Sequence, residues 1–384
     1  WVSEVDVVPG VELSDPQSAF DQSWLRARSK PPVPNSRASV RAVDLFAGCG
    51  GLTLGLQEAA RGLNLDFEAV LANDLEISGL RVYERNFPGV EICHAPIESL
   101  FDGEIGAAAT AREREVVDNL GRVDVAVGGP PCQGNSDLNN HTRRNDPKNE
   151  LYLRMARFCE VVRPTHVVIE NVPGVLHDRN SVAQRTWATL EDLGYSLSTG
   201  VLDVQDFGAS QRRKRSFTLA SLSFQPSLGV IRQEFGAHAR TLAWAIADLE
   251  KAVDQDSVFD SPPNPRPASL ERINYLFEND LFDLPDEQRP DCHRLKNHTY
   301  RSMYGRMHYE RPAQTITTGF GVMGRGRYVH PTQRRTLTPH EAARIQGFPD
   351  FFTFAGTKRS ELHTLIGNAV PSKLGFVVGG HLFR

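Results

Sequence analysis

The run GGPPCQGNS, residues 128–136, directly follows the short apolar stretch Val123-Asp124-Val125-Ala126-Val127 and carries a cysteine. Cys132 therefore stands where a buried strand leaves its sheet, between a proline pair and a turn of Gln133, Gly134, Asn135 and Ser136 that no core favours. A thiol, with an ordinary pKa of about 8.5, becomes a usable nucleophile when cations or helix ends favour the thiolate. The run Arg212-Arg213-Lys214-Arg215 is one source of such cations. The competing reading of an unpaired cysteine is a small buried hydrophobe, and it is the one adopted for Cys93 and Cys159. A zinc deaminase would carry P-C-x-x-C, but the third residue after Cys132 is Asn135, which excludes that chemistry.

Two other stretches carry acids at strand ends. In THVVIENVPGV, Glu170 follows an apolar run and precedes Asn171 and Pro173. Alone it reads as an exposed strand cap. On a strand neighbouring that of Cys132, the two groups could add to, and protonate, a ring that is otherwise unreactive. In DLFAGCGGLTLGL, residues 44–56, glycines at 48, 50, 51 and 55 lie between a strand end and a helix start. Such a turn lets backbone amides approach a ligand at the positive end of the helix dipole. Asp74, ending the next strand in VLANDLE, is placed to accept from ribose hydroxyls. Glycine turns and strand-end acids are common in α/β proteins, so neither alone identifies a ligand. Together they describe a nucleoside-cofactor pocket. The dinucleotide pattern G-x-G-x-x-G and the Gly-Lys-Ser/Thr of a P-loop are both missing, which makes S-adenosylmethionine the better candidate.

The elements that must hold these groups follow from texture. From Arg41, short apolar runs (AVDLF, FEAVLAND, VDVAVGG, THVVIENV) alternate with amphipathic stretches of helical length (GLTLGLQEAARGL, ISGLRVYERNF, VAQRTWATLEDLG). That alternation predicts a doubly wound parallel sheet covered by helices on both faces. The rhythm fails between about Ser221 and Gln314, which predicts a smaller domain of irregular build. The expected organisation is a polar, proline-containing extension over 1–38 (a tail or an edge wrapping), a catalytic part over 39–221, a recognition part over 222–330 and a returning catalytic part over 331–384.

Bulk properties narrow the class. The chain has 384 residues, 40% hydrophobic content and a formal net charge of −4, enough for a sizeable core and against a uniformly basic surface. Any polyanion must be held locally, by clusters such as Arg143-Arg144 or Arg325, Arg327, Arg334 and Arg335. No apolar run reaches the ~18 to 20 residues of a membrane helix, and Trp1-Val2-Ser3-Glu4 opens no signal pattern, so neither membrane nor export is expected. Five cysteines far apart, with no C-x-x-C, suggest a reducing compartment and no structural metal.

Taken in order, DLFAGCGG, PPCQG, ENVPG, QRRKR, LTPHEAARIQGFP and GNAVP resemble the blocks of the DNA cytosine-5 methyltransferases, over the chain from about Arg41 to the end. The resemblance implies a Rossmann-like methyltransferase fold with a smaller target-recognition domain. It also implies methylation of cytosine carbon 5 in a short duplex sequence, after base flipping and formation of a covalent Cys132 adduct. By the same resemblance Glu170 holds and protonates ring nitrogen 3, Arg215 contacts the ring oxygen, and Gln211 and Arg213 brace the site. The Pro130 carbonyl, grouped with the cofactor pocket, receives the exocyclic amine. S-adenosyl-L-methionine, leaving as S-adenosyl-L-homocysteine, is assigned to Phe46, Ala47, Gly48, Gly50, Gly51, Leu52, Asp74, Ile97, Asn368 and Val370. Gln133, Ser136, Arg143, Arg144, Arg301, Arg306, Arg325 and Arg327 are the candidate DNA contacts, with His308 beside them. The implied partners are double-stranded DNA and a restriction endonuclease acting separately on the same site, for a monomer in a bacterial cytoplasm.

Two positions depart from the family pattern. Asn135 stands where an aromatic residue is usual, and Pro96 where an aspartate contacts the adenine amino group. Pro96 is expected to weaken cofactor affinity, and the lost aromatic at Asn135 to loosen loop closure or adapt it to a different neighbour. A transfer-RNA cytosine methyltransferase would share the same blocks, and a catalytically silent DNA-binding regulator is the non-enzyme alternative. Intact Cys132, Glu170 and Arg215 argue against the latter.

Overall fold

The computed structural model describes residues 15–32, 38–131, 150–177, 181–294 and 303–384. The chain divides into two compact units. One contains the described residues up to Lys30, Gly208–Arg212 and His238–Asn368; the other contains Pro31–Phe207, Arg213–Ala237 and Ala369–Arg384.

The elements begin with α1 (Pro16–Leu25), β1 (Ser39–Leu45), α2 (Gly51–Gly62), β2 (Asp66–Asn73), α3 (Ile77–Asn86), β3 (Glu91–Cys93) and α4 (Ala111–Leu120). There follow β4 (Val125–Gly128), α5 (Leu151–Val162), β5 (His166–Asn171), α6 (Val182–Asp192), β6 (Ser196–Asp203) and β7 (Lys214–Ser221). The remaining helices are α7 (Leu228–Phe235), α8 (Leu242–Ile246), α9 (Pro267–Glu278), α10 (Asp291–Arg294), α11 (Pro339–Ile345), α12 (Arg359–Asn368) and α13 (Ser372–Leu382).

All seven strands form one sheet, in the order β3-β2-β1-β4-β5-β7-β6. The first five are parallel; β7 runs antiparallel to both β5 and β6. The parallel sheet expected from the alternation is therefore present, with β7 as the one antiparallel strand among the described residues. The connection 204–213 between β6 and β7 is shorter than the dozen or more residues that a parallel crossover needs. β4 and β5 are buried along their whole length, as strands covered on both faces must be. Val43, Leu45, Ala126, Val167 and Ile169 pack with Met155 and Phe158 of α5 into one core. Strand order reverses between β1 and β4, and in such sheets that point opens a crevice beyond the strands' carboxyl ends.

The C-terminal segment closes onto the first helix of the sheet. A Cβ on Gly55 would lie 2.0 Å from the Ser372 carbonyl oxygen, and one on Gly375 would lie 2.3 Å from that of Leu52. Only glycine lets α2 and α13 approach so closely. Cys159 is buried in the core, whereas Cys93, expected there too, is only half-buried at the end of β3.

In the other unit every named element is a helix among the described residues, and its strand pairing is limited to isolated bridges such as Gln211 with Ala313. Its core gathers Ile273, Leu276, Leu284, Tyr304, Met323 and Val329. The N-terminal lead-in holds a helix, α1, which Asp15 caps by accepting from the Gln17 amide, with a proline in its first turn. Gln22 Nε2 donates to the Trp244 carbonyl at 2.8 Å, and Trp24 meets Phe351 edge-on. At α11 the Thr338–Glu341 capping box is completed by Arg335, which grips the buried Glu341 carboxylate with both terminal nitrogens. No helix among the described residues is long and apolar enough to cross a membrane.

Candidate active site

Parallel register sets the heights of three strand ends. Leu45 of β1 pairs with Gly128 of β4, which pairs with Ile169 of β5. The next residues along, Phe46, Gly129 and Glu170, therefore emerge at one edge of the sheet. Pro130 follows Gly129, and its carbonyl accepts from Asn171 Nδ2 at 3.0 Å. A carbonyl has a second lone pair, so this bond leaves it able to accept again. Cys132, Gln133, Ser136, Arg143 and Arg144 lie outside the described residues.

Glu170 is only 7% exposed and is no surface cap. Its Oε1 lies 2.7 Å from Arg215 Nε. The pairing explains the contact: Glu170 faces Phe217 across the β5–β7 ladder, and Arg215, two residues along, shares that face. Burial pushes the Glu170 carboxyl above its ordinary range, and the charges of Arg215 and Arg213 offset this only in part. A Cβ on Gly129 would come 3.1 Å from Glu170 Oε2, so glycine there keeps the space around the acid open. Arg213 is almost fully buried; its amide donates to Asp203 Oδ1 and its Nη2 to the Ala369 carbonyl at 2.9 Å. That bond ties down the chain one residue before Val370.

The glycine turn lies on the other side of β1. Phe46, Gly48 and Gly50 all have positive φ, of 60°, 54° and 88°. Glycine suits two of these positions, and Phe46 holds a conformation that L-residues adopt rarely. The Ala47 amide donates to the Asn73 carbonyl, and the Gly48 amide to Asp74 Oδ2 at 2.8 Å, while Asp74 Oδ1 accepts from the Glu76 amide at 2.8 Å. A Cβ on Gly48 would meet nothing within 4 Å. The open space at Gly48 thus adjoins the half-buried Asp74 carboxylate, and along the chain the partly buried Phe46 and the 63% exposed Leu75 flank the two. Gly50, Gly51 and Leu52 are buried in the turn's foundation, and Ile97 in the core beneath. Asn73 Nδ2 donates to the carbonyls of both Cys93 and Ala95, fixing the segment that leads to Pro96 and Ile97.

The remaining assigned residues belong to the other unit. Gln211 is fully buried there, donating to the Ile345 carbonyl at 3.0 Å and to Gln346 Oε1 at 2.7 Å. Asn368 ends α12. Arg306 donates to the Pro331 carbonyl and stacks over Phe277 and Phe282, 4.3 and 4.9 Å from the ring centroids. His308 stacks on the same Phe282 ring. Arg327 donates to the carbonyls of Phe282 and Arg306 and pairs with Asp283. Arg325 is exposed, and Arg301 lies outside the described residues. Sequence reasoning did not find Asn171, Asn73, Gly129 or Gln346. Asn171 was visible as the partner of Glu170 in ENVPG, but the others mark themselves only through contacts distant in sequence.

A sheet of this order, with a glycine turn after its first strand and acids at the ends of β2 (Asp74, just beyond it) and β5 (Glu170, its penultimate residue), defines the class: the mixed α/β fold of S-adenosylmethionine-dependent methyltransferases. A solved structure of a putative prophage-encoded DNA modification methyltransferase from E. coli superposes with a TM-score of 0.63, at 22% identity over 90% of this chain and 98% of that one. Residues 40–384 match the C-5 cytosine-specific DNA methylases, and the chain belongs to that family. It is 45% identical, over 95% of its length and 85% of the relative's, to the type II methyltransferase M1.BsuMI of Bacillus subtilis strain 168. The type II methylase M.HgiDII of Herpetosiphon aurantiacus is 30% identical over 89% of this chain and 94% of its own. The chain is thus a DNA (cytosine-5-)-methyltransferase.

Proposed function

We propose that this methyltransferase uses S-adenosyl-L-methionine to methylate cytosine in one short duplex sequence, as the modification partner of a type II restriction endonuclease in a bacterial cytoplasm. The buried Glu170–Arg215 pair, level with the strand end that leads to Cys132, is the observation that carries the reading. The pairing with an endonuclease rests on the likeness to type II enzymes.

The rim around Gly48 suits an adenosine: Phe46 and Leu75 offer apolar surface, Asp74 a carboxylate for the ribose diol, and Gly48 the room. When bound, the cofactor supplies an electrophilic methyl group and departs as S-adenosyl-L-homocysteine. The Cys132 thiolate adds to carbon 6 of a cytosine taken out of the duplex, while Glu170 delivers a proton to ring nitrogen 3. Arg215 orients Glu170 and faces the ring oxygen, and the free lone pair of the Pro130 carbonyl receives the exocyclic amine. Carbon 5, made nucleophilic, takes the methyl group. Loss of the carbon 5 proton, expulsion of the thiolate and return of the nitrogen 3 proton to Glu170 restore the neutral ring.

Sequence recognition is assigned to residues 222–330, with chemistry in 39–221 and 331–384. Within it the exposed Arg325 is the foremost candidate for reading a base, whereas Arg306 and Arg327 shape the surface through their internal bonds. Bisulfite sequencing of a plasmid from cells expressing the chain tests the proposal. One protected motif is the expected result, and complete conversion in the presence of folded protein and cofactor would overturn it.

A further inference from the structure

Beneath the glycine turn lie three buried polar side chains for which the reaction has no direct use. Asp44, 3% exposed, is the penultimate residue of β1; Thr53 lies in the first turn of α2; Tyr83 comes from α3. The Tyr83 hydroxyl donates to Thr53 Oγ1 at 3.0 Å, and Thr53 Oγ1 donates to Asp44 Oδ2 at 2.5 Å. The Tyr83 ring also forms a wall with Phe87: a Cβ on Gly50 would lie 2.8 Å from the former and 2.6 Å from the latter. One side chain thus closes the hydroxyl chain and walls the turn.

Packing alone does not ask for this arrangement. Apolar residues of the same shape would fill the space with no polar group to satisfy, and replacing both partners of a buried polar contact in that way is often neutral. Burial pushes the Asp44 carboxyl up to about 7, and the nearby Asp74 adds to that shift. Near neutrality the acid can therefore accept from Thr53 without a full charge in the core, a role that an asparagine oxygen could also fill. What the chain does accomplish is to join the ends of β1, α2 and α3 around residues 46–51. Those are the residues whose Gly48 amide meets Asp74 at the rim.

We propose that Asp44, acting through Thr53 and Tyr83, is a positioning residue that holds the glycine turn in its cofactor-binding shape and so sets affinity for S-adenosyl-L-methionine rather than the rate of transfer. The inference rests on the cofactor reading above. The chain acts from below the pocket and touches neither cofactor nor base.

Calorimetric titration of the full chain with S-adenosyl-L-methionine, alongside single-turnover transfer at saturating cofactor and DNA, tests it. Asp44→Leu and Thr53→Val are expected to weaken binding tenfold or more, with the saturated rate within about threefold of the parent. Asp44→Asn and Thr53→Ser, which keep an acceptor and a donor, are expected to restore affinity to within about threefold. Parental affinity in both Asp44→Leu and Thr53→Val, or equal losses in affinity and saturated rate, would overturn the inference. Should Asp44→Leu not fold, the near-isosteric Thr53→Val decides. If the parent chain itself binds no S-adenosyl-L-methionine, the cofactor reading fails, and the inference with it. Parent binding with indifferent variants removes the inference alone.

Discussion

Replacing Glu170 by glutamine separates the acid's chemistry from its place in the structure. The variant keeps volume and an oxygen for Arg215, 2.7 Å away in the parent, but has no proton to give to ring nitrogen 3. General acid groups contribute typically ~10²–10⁴-fold, so the saturated single-turnover rate should fall by that factor, about 3 to 5 kcal/mol of barrier. Stability should fall less, by about 1.5 to 3 kcal/mol, the range for one hydrogen bond to a charged group. DNA affinity, resting on contacts elsewhere, should hold. The pH profile supplies a second sign. In the proposed reaction Glu170 acts protonated, and burial raises its pKa, so transfer should decline as pH climbs through that raised value. Arg215 lowers it; in Arg215→Ala the residual activity should therefore decline at higher pH than in the parent. The assay is transfer of a labelled methyl group to unmethylated duplex containing the protected motif. A Glu170→Gln rate equal to the parent's, with binding intact, would refute the proton-donor role and leave a strand-end ion pair.

Other perturbations read other parts of the molecule. Asp74→Ala should weaken S-adenosyl-L-methionine binding by about 1.5 to 3 kcal/mol, and equal dissociation constants by calorimetry would mislocate the ribose contact. Gly375→Ala should destabilise the sheet-bearing unit by at least about 1 to 3 kcal/mol, because its Cβ would meet the Leu52 carbonyl at 2.3 Å; an unchanged denaturation midpoint would contradict the close α2–α13 packing. Glu341 is held down to about 2 despite its burial, by the two hydrogen bonds from Arg335 and by His330, whose Nε2 lies 3.4 Å from Oε1. Its folded pKa lies below its unfolded value of about 4.3, so its stabilisation is present above that value and lost as pH falls towards 2. Glu341→Gln should accordingly cost about 3 to 5 kcal/mol at neutral pH, by stranding Arg335, and far less near pH 2 in acid-unfolding curves.

Much of the proposed site was expected from the sequence alone. Cysteine after a proline pair, acids closing apolar runs, and glycines between a strand and a helix each carry a local physical reason, and their order named a family. The sheet was legible for the same reason: β1, β2, β4 and β5 are short apolar runs whose burial on both faces leaves a plain signature. β7 was not legible as antiparallel, because KRSFTLAS reads alike in either direction and only the short link from β6 decides it. Arg306 and Arg327 show the limit from the other side. As residues they suggest phosphate or guanine, and only their neighbours reveal that Phe277, Phe282 and Asp283 already occupy them. The lead-in likewise concealed α1, whose helix signals at Asp15 and Pro16 were overshadowed by the prolines beyond Lys30.

The sequence by itself determined the class of chemistry, the sheet's main strands and the residues at their ends, because these depend on residue type and on spacings of a few positions. Tertiary structure alone decided that Glu170 is buried against Arg215, that Asn171 engages Pro130, and that Asp44, Thr53 and Tyr83 form one chain beneath the glycine turn. Those facts join residues between 9 and 45 positions apart, apart from the neighbours they connect through. Burial, pairing and the resulting protonation are properties of where the folded backbone brings such groups together, and no local pattern encodes that distance.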